Sequence, residues 1–245
     1  MLIGENSPLR RVPIGINAEL HAFCDGVRFS AQMADLAYGE LVACLLPLSQ
    51  TNNEQGREFA VKPFLNAWSI IDSAYRLYRL VKNFPNLQKK NQAPQYRDFE
   101  RKITAVERLR NAVQHMHSDI YESATAGRHV WGVLTWVKPT VAGGFTCLLV
   151  SGAVLPGGEY TPINPAGKVL RLPLDHVTLT VDKVDVNLTE IMDSMAKLVI
   201  SLEEGLEKAF ENLPNRTMSD MLIALAFQSG PSSPTPPDKQ HSTEG

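Results

Sequence analysis

The hydrophobic period of this chain changes twice, and those changes restrict the fold more than any other feature. Up to Ala124 apolar residues return every three or four positions, the period of amphipathic helices. After Gly127 they alternate by two in segments rich in Val, Thr and aromatics, and from Leu188 the helical period resumes. This order predicts an α+β chain with an N-terminal antiparallel helical bundle, an antiparallel β-meander of about four strands, and a long C-terminal helix packing back. The expected division is a helical region at 14–126, the meander at 127–187, C-terminal helices at 188–228 and a disordered tail at 229–245.

The first helical pattern runs from Ile14 to about Leu46, with Gly26 and Gly39 as weak points, and Pro47 to Gly56 is the expected polar connector. A second spans Lys62 to Asn83 on the stripe Phe64, Trp68, Ile71, Tyr75 and Tyr78, and a loop from Phe84 to Pro94 ends it. The third covers Ala93 to Ala124 through Phe99, Ile103, Val106, Leu109, Val113 and Met116. Strands are expected at His129 to Lys138 and Gly144 to Leu155, joined through PTVAGG, then at Val169 to Leu172 and Val177 to Val186. Asn187 and Glu190 stand at capping-box spacing before the apolar stripe that starts at Leu188, and a short helix is expected around Met218 to Phe227. Ser229 to Gly245 is too rich in Pro and Ser to bury a core.

At 245 residues, with 44% hydrophobic and 20% charged residues, the chain has globular composition. Cys24, Cys44 and Cys147 are far apart and form no CxxC, so neither a disulfide scaffold nor a zinc site is expected, and a reducing cytoplasm fits. No segment nears the roughly 20 apolar residues of a membrane span, and Met1 to Pro13 lacks a signal-peptide core. No GxSxG, HExxH or P-loop occurs, which leaves no cofactor expected. The net charge is −2, yet Arg57 to Arg110 holds twelve basic against five acidic residues, a local +7 that leaves −9 elsewhere. Such a field can draw a phosphate backbone, with Arg101, Lys102 and Arg108 as candidate contacts; a pair of solvated helix faces carries the same charges.

One stretch groups a guanidinium, an amide and two imidazoles: Arg110-Asn111-Ala112-Val113-Gln114-His115-Met116-His117. At 100° per residue Arg110 and His117 fall within the apolar stripe, Gln114 beside it, and Asn111 and His115 on another face. An arginine there needs a partner or a cleft, and Asp72 and Glu107 are candidates. Asp72 with Arg76 also has the spacing of an i, i+4 surface pair.

With Arg110-Asn111-x3-His115 late in a helix, the chain from about Ile14 to Ala124 resembles HEPN domains, the higher eukaryote and prokaryote nucleotide-binding helical family. Trp68-Ser-Ile-Ile-Asp72-Ser-Ala-Tyr-Arg76 is similar to the polar-marked helix that precedes the motif in such domains. The resemblance implies metal-independent RNA cleavage, as in toxin and defence systems, in which the 2′-hydroxyl attacks the adjacent phosphate. Arg110 would then stabilise phosphate charge, His115 would move the proton, and Asn111 would hold the phosphate or orient His115. It also implies a homodimer with facing motifs, and an antitoxin or regulatory partner.

Other assignments stay open on the sequence. Arg110 with His117, Arg108 with His115, and Arg171 with His176 satisfy related spacings, so His117 is an alternative catalytic histidine. His21, His129 and His176 have no partner pattern and are expected to be structural, and Ala142-Gly-Gly and Pro156-Gly-Gly are expected to be turns. The rival function is a non-catalytic HEPN-like helical protein that binds a ligand or a partner.

Overall fold

The computed structural model describes residues 1–50, 60–83, 93–115, 127, 129–141, 143–152, 169–213, 216–218 and 220–225. For Gln114, His115 and residues 216–218 it describes the backbone alone. Among these residues no helix is long and apolar enough to cross a membrane.

Helix α1 (Ala18–Leu48) starts where the Asn17 carboxamide accepts from the Leu20 N–H at 2.7 Å. Neither Gly26 nor Gly39 interrupts it, and it continues through Pro47 into the expected connector. Ser49 ends it, with its N–H and hydroxyl donating to the Leu45 carbonyl at 3.0 and 2.7 Å. A Cβ on Gly26 would stand 3.0 Å from Leu80 Cδ1, so this glycine sets the close approach of α2 (Val61–Asn83). Glu40 meets Lys62 at one end of the pair and Gly26 meets Leu80 at the other, so α1 and α2 run antiparallel.

Helix α3 (Pro94–His115) runs back along α2, burying Phe99, Ile103, Val106 and Leu109 at helical spacing. The expected continuation from Met116 to Ala124, including His117, lies outside the described residues. Helix α4 (Leu188–Ala209) has the expected cap, with the Glu190 N–H donating to Asn187 Oδ1 at 3.1 Å. It buries Leu188, Ile191, Met195, Leu198, Val199 and Leu202 against the bundle.

The N-terminus adds two things that the periodicity did not disclose. Ile3, Leu9 and Val12 are buried in the same core, and β1 (Arg11–Pro13) pairs antiparallel with β6 (Arg216–Met218). The expected helix around Met218 to Phe227 is therefore corrected. Residues 216–218 form a strand, and 220–225 are non-helical, with Met221, Leu222, Ile223 and Leu225 exposed. Without a surface to bury that apolar run, helical propensity alone does not hold so short a segment. Buried Arg28 fastens it to α1 through both oxygens of Asp220, at 2.5 and 2.9 Å.

A second sheet holds β2 (Val133–Thr140), β3 (Gly143–Val150), β4 (Asp175–Val181) and β5 (Val184–Asn187). It is antiparallel and four-stranded but not the expected meander, because its order is β3-β2-β4-β5. Strand β2 is buried along 133–137 and takes the inside, whereas β3, with exposed Phe145 and Leu148, is the edge. The expected strand at Val169 to Leu172 is absent, and Val169 and Leu172 are exposed. The expected single strand from Val177 to Val186 is a hairpin, because Asp182 and Lys183 both take positive φ (45° and 65°) in a two-residue turn between paired Val181 and Val184. Leu134, Trp136, Val177 and Leu179 face the bundle, and the Trp136 indole donates to Ser49 Oγ at 2.8 Å.

Candidate functional site

Two places on α2 bear on function. The first is the seam with α3, where the polar-marked helix meets the Arg-Asn-x3-His helix. Arg110 Nε donates to Asp72 Oδ1 at 2.7 Å, and the guanidinium lies 4.3 Å from the Tyr75 ring centroid. The Tyr75 hydroxyl donates to Glu107 at 3.3 Å and accepts from Arg79 at 3.2 Å. One turn further, Tyr78 and Tyr96 both donate to Glu100, at 3.1 and 3.5 Å, and Lys82 donates to Tyr78 at 2.9 Å. Burial, then the Glu100 charge, push the Tyr96 phenol up to about 12.

The wheel placed Arg110 on the apolar stripe, and the structure gives it 24% exposure with the partner such a site needs. The surface pairing expected between Asp72 and Arg76 is corrected, because Asp72 reaches across to α3 instead. Among the described residues Arg110 bonds through Nε alone. Asn111 is exposed on the next position. His115 closes α3 with only its backbone described. The seam therefore brings together Asp72, Tyr75, Glu107 and Arg110.

Of the candidate phosphate contacts, Arg101 and Lys102 both hold Asp98, at 2.7 and 2.9 Å. Asp98 also accepts from Ser194 on α4 at 2.8 Å, and these bonds, the one from Lys102 foremost, hold its carboxyl below the usual range. Arg108 is exposed and, like Arg76 and Arg97, forms no ion pair with another described residue. The other Arg/His spacing is occupied structurally. Arg171 grips both oxygens of Asp193, and His176, at φ 49°, lies 3.3 Å from the Asn187 amide. His21 pairs with Asp25 at 3.1 Å. All three cysteines are free thiols, and burial pushes Cys24 up to about 12 and raises Cys44 and Cys147, which leaves little thiolate for nucleophilic work. Among the described residues no group of three or more His, Cys, Asp or Glu is placed to hold a metal ion.

The second place carries none of the candidate residues of the sequence. A pocket of about 610 Å³ opens between the first two turns of α2 and the turn at 129–132. Val61, Leu65 and Trp68 form one wall at helical spacing, and Val130 and Trp131 form the opposite one. The turn is fixed from several sides. His129 Nδ1 lies 3.0 Å from the Ser151 carbonyl, the Gly132 N–H donates to the His129 carbonyl at 3.0 Å, and the Trp68 indole donates to the Trp131 carbonyl at 3.4 Å. Gly132 has φ 88°, and a Cβ there would lie 2.5 Å from the Thr180 carbonyl oxygen, so no other residue fits. The apolar triplet at 61, 65 and 68 beside the core stripe at 64, 67 and 71 was the available signal, because a surface helix seldom carries two adjacent apolar rows.

No family model matches this chain, and neither do any curated protein or any solved structure.

Proposed function

We propose that the chain is a HEPN-like, metal-independent endoribonuclease acting at Arg110, Asn111 and His115. The supporting observation is the Asp72–Arg110 contact, which puts the polar-marked residue of α2 against the arginine of the Arg-Asn-x3-His helix at a partly open seam. Asp72 and the Tyr75 ring fix the guanidinium through Nε and its face. Among the described residues its terminal N–H groups have no acceptor, and they would be the donors to two oxygens of one phosphate. In the reaction the RNA 2′-oxygen bonds to the adjacent phosphorus, the bond from phosphorus to the 5′-oxygen breaks, and a cyclic phosphate and a 5′-hydroxyl result. His115 accepts the proton from the 2′-hydroxyl or returns one to the leaving 5′-oxygen, the role a histidine most often takes in general acid–base catalysis. Asn111, one turn before His115, would hold the phosphate or orient His115. A homodimer with facing motifs, RNA as substrate and an antitoxin-type partner belong to the same proposal.

The second reading is a non-catalytic binding protein, favoured by the neutralisation of Arg110 by a carboxylate at 2.7 Å. Incubating the purified chain, with any co-purifying partner removed, with RNA in EDTA separates the two. Cleavage that is lost in Arg110→Ala and His115→Ala but retained in His117→Ala supports the nuclease. Loss with His117→Ala instead moves the proton-transfer role to His117, and absence of cleavage by the wild type ends the nuclease reading.

A further inference from the structure

The pocket at the start of α2 has the features of a built small-molecule site. Its volume of about 610 Å³ falls within the range of roughly 300–1,000 Å³ usual for ligand pockets. Val61 and Leu65 remain 77% and 63% exposed, and Trp131 56%, although each belongs to an element fixed in place by the fold. Three apolar side chains left to water on two facing walls are an unspent hydrophobic contribution.

The lining also restricts what can enter. Among the described residues it contains no Asp, Glu, Lys or Arg, so an ionic ligand would lose its hydration without a counter-charge from them. Two tryptophans and Phe64 offer aromatic surface. Ser151 lines the same pocket with its Oγ buried and without a hydrogen-bond partner among the described residues. A buried hydroxyl in that condition is costly, and a ligand oxygen that reached it would remove the cost. A concave, uncharged and aromatic space with one unsatisfied hydroxyl fits a small ring compound better than a flat protein partner.

We propose that this pocket binds a neutral, multi-ring aromatic small molecule bearing one hydroxyl or carbonyl, which hydrogen-bonds Ser151 Oγ. The site is separate from the Arg110 seam and does not depend on ribonuclease activity. Trp68 nevertheless stands one helical turn before Asp72, so the ligand would lie beside the helix face that holds Arg110.

The test uses the full chain and the neutral dye N-phenyl-1-naphthylamine. Two of the three tryptophans line the pocket, so energy transfer from tryptophan to the dye reports occupancy directly. Saturable binding of one dye per chain is expected, weakened at least about tenfold by Leu65→Glu, which puts a carboxylate on the rim without touching the core. 1-Naphthol should displace the dye better than naphthalene, and Ser151→Ala should erase that preference. Non-saturable binding, or binding unchanged in Leu65→Glu, would overturn the site. Equal competition by an anionic naphthalene sulfonate would overturn the neutral class, and an unchanged naphthol preference in Ser151→Ala would overturn the polar contact. If instead the chain ignores the dye and dimerises in a Leu65-dependent way on sedimentation, the walls are a self-interface and the proposal is wrong.

Discussion

Helix α2 carries two surfaces of opposite chemistry, a turn apart. From Asp72 to Lys82 it is bound to α3 by charges and hydroxyls, and each of Asp72, Tyr75, Tyr78, Arg79 and Lys82 has a named polar or ring partner. From Val61 to Trp68 it offers apolar side chains to an open space. Polar cross-links are directional and specify how two helices sit, while adding little net stability at a partly exposed seam. Apolar side chains are non-directional and contribute only when something covers them. The seam is therefore largely complete without a ligand, and the pocket is not. The following substitutions test that contrast in order of expected effect.

The largest effect is expected at Gly132, on the pocket side. Gly132→Ala places a methyl group 2.5 Å from the Thr180 carbonyl oxygen at a backbone φ of 88°. Left-handed strain and overpacking together should cost about 3 kcal/mol, read as a lowered urea midpoint. Dye binding should be lost with it, because the turn carries Val130 and Trp131. A cost under about 1 kcal/mol would mean that the turn yields, and the pocket would then not be a preformed cavity.

Next comes the seam. Arg110→Ala removes an ion pair and a ring contact at a site with 24% exposure, and a loss of about 1–2 kcal/mol is expected. Arg110→Lys should recover part of the stability but not the activity, since an ammonium lacks the planar fork. RNA cleavage that survives in Arg110→Lys at the wild-type rate would show that charge alone is required. Asp72→Asn should weaken the alignment of Arg110 and lower cleavage without unfolding the chain. An unchanged rate would make Asp72 a structural partner only.

How far the sequence disclosed these features follows from whether each signal is local. Helix α4 was legible because its stripe and its Asn187–Glu190 cap are contiguous, and the α2 stripe was legible for the same reason. The Asp182-Lys183 turn was missed because positive φ normally advertises itself through Gly or Asn-Gly, and here the pairing of buried Val181 with half-buried Val184 imposes it. The total of four strands agrees only because the absent strand at 169–172 is offset by the division of 177–186 into two, and their order differs from a meander, since order depends on which strand is buried, not on the spacing within any of them. The runs at 169–172 and 221–225 looked like elements and are exposed, because apolar pattern does not supply a surface to pack on. Arg28 with Asp220, 192 positions apart, left no trace in any local pattern. At the site, the Asp72–Arg110 contact is within reach of the sequence, because an arginine on the apolar stripe of α3 needs a partner and Asp72 is a candidate. The pocket is not, because its second wall comes from a turn at 129–132, far along the chain from α2.

A smaller effect is expected from the rim. Leu65 is 63% exposed, so Leu65→Glu should change stability by no more than about 0.5 kcal/mol while removing dye binding. A large loss of stability would show that Leu65 is covered in solution, and the open wall of the pocket would then be closed by another part of the chain or by a second copy.

The smallest effect concerns pH and the polar network between α3 and α4. Asp98 accepts from Lys102, Arg101 and Ser194, and these bonds hold its carboxyl below the ordinary value. A carboxylate whose folded pKa is depressed contributes stability at pH values above its unfolded pKa of about 3.9, and that contribution fades as pH falls through the folded value. The chain should therefore lose part of its stability between about pH 4 and the more acid folded pKa of Asp98. Both cations are at least partly in water, and screening should keep the Asp98 share near 0.3 kcal/mol. Asp98→Asn tests the assignment through urea midpoints at neutral and acid pH. The variant should be slightly less stable than wild type at neutral pH and equal to it once Asp98 is protonated, because asparagine keeps the acceptor for Ser194 without the charge. A constant difference at both pH values would mean that packing at position 98, and not its ionisation, joins α3 to α4.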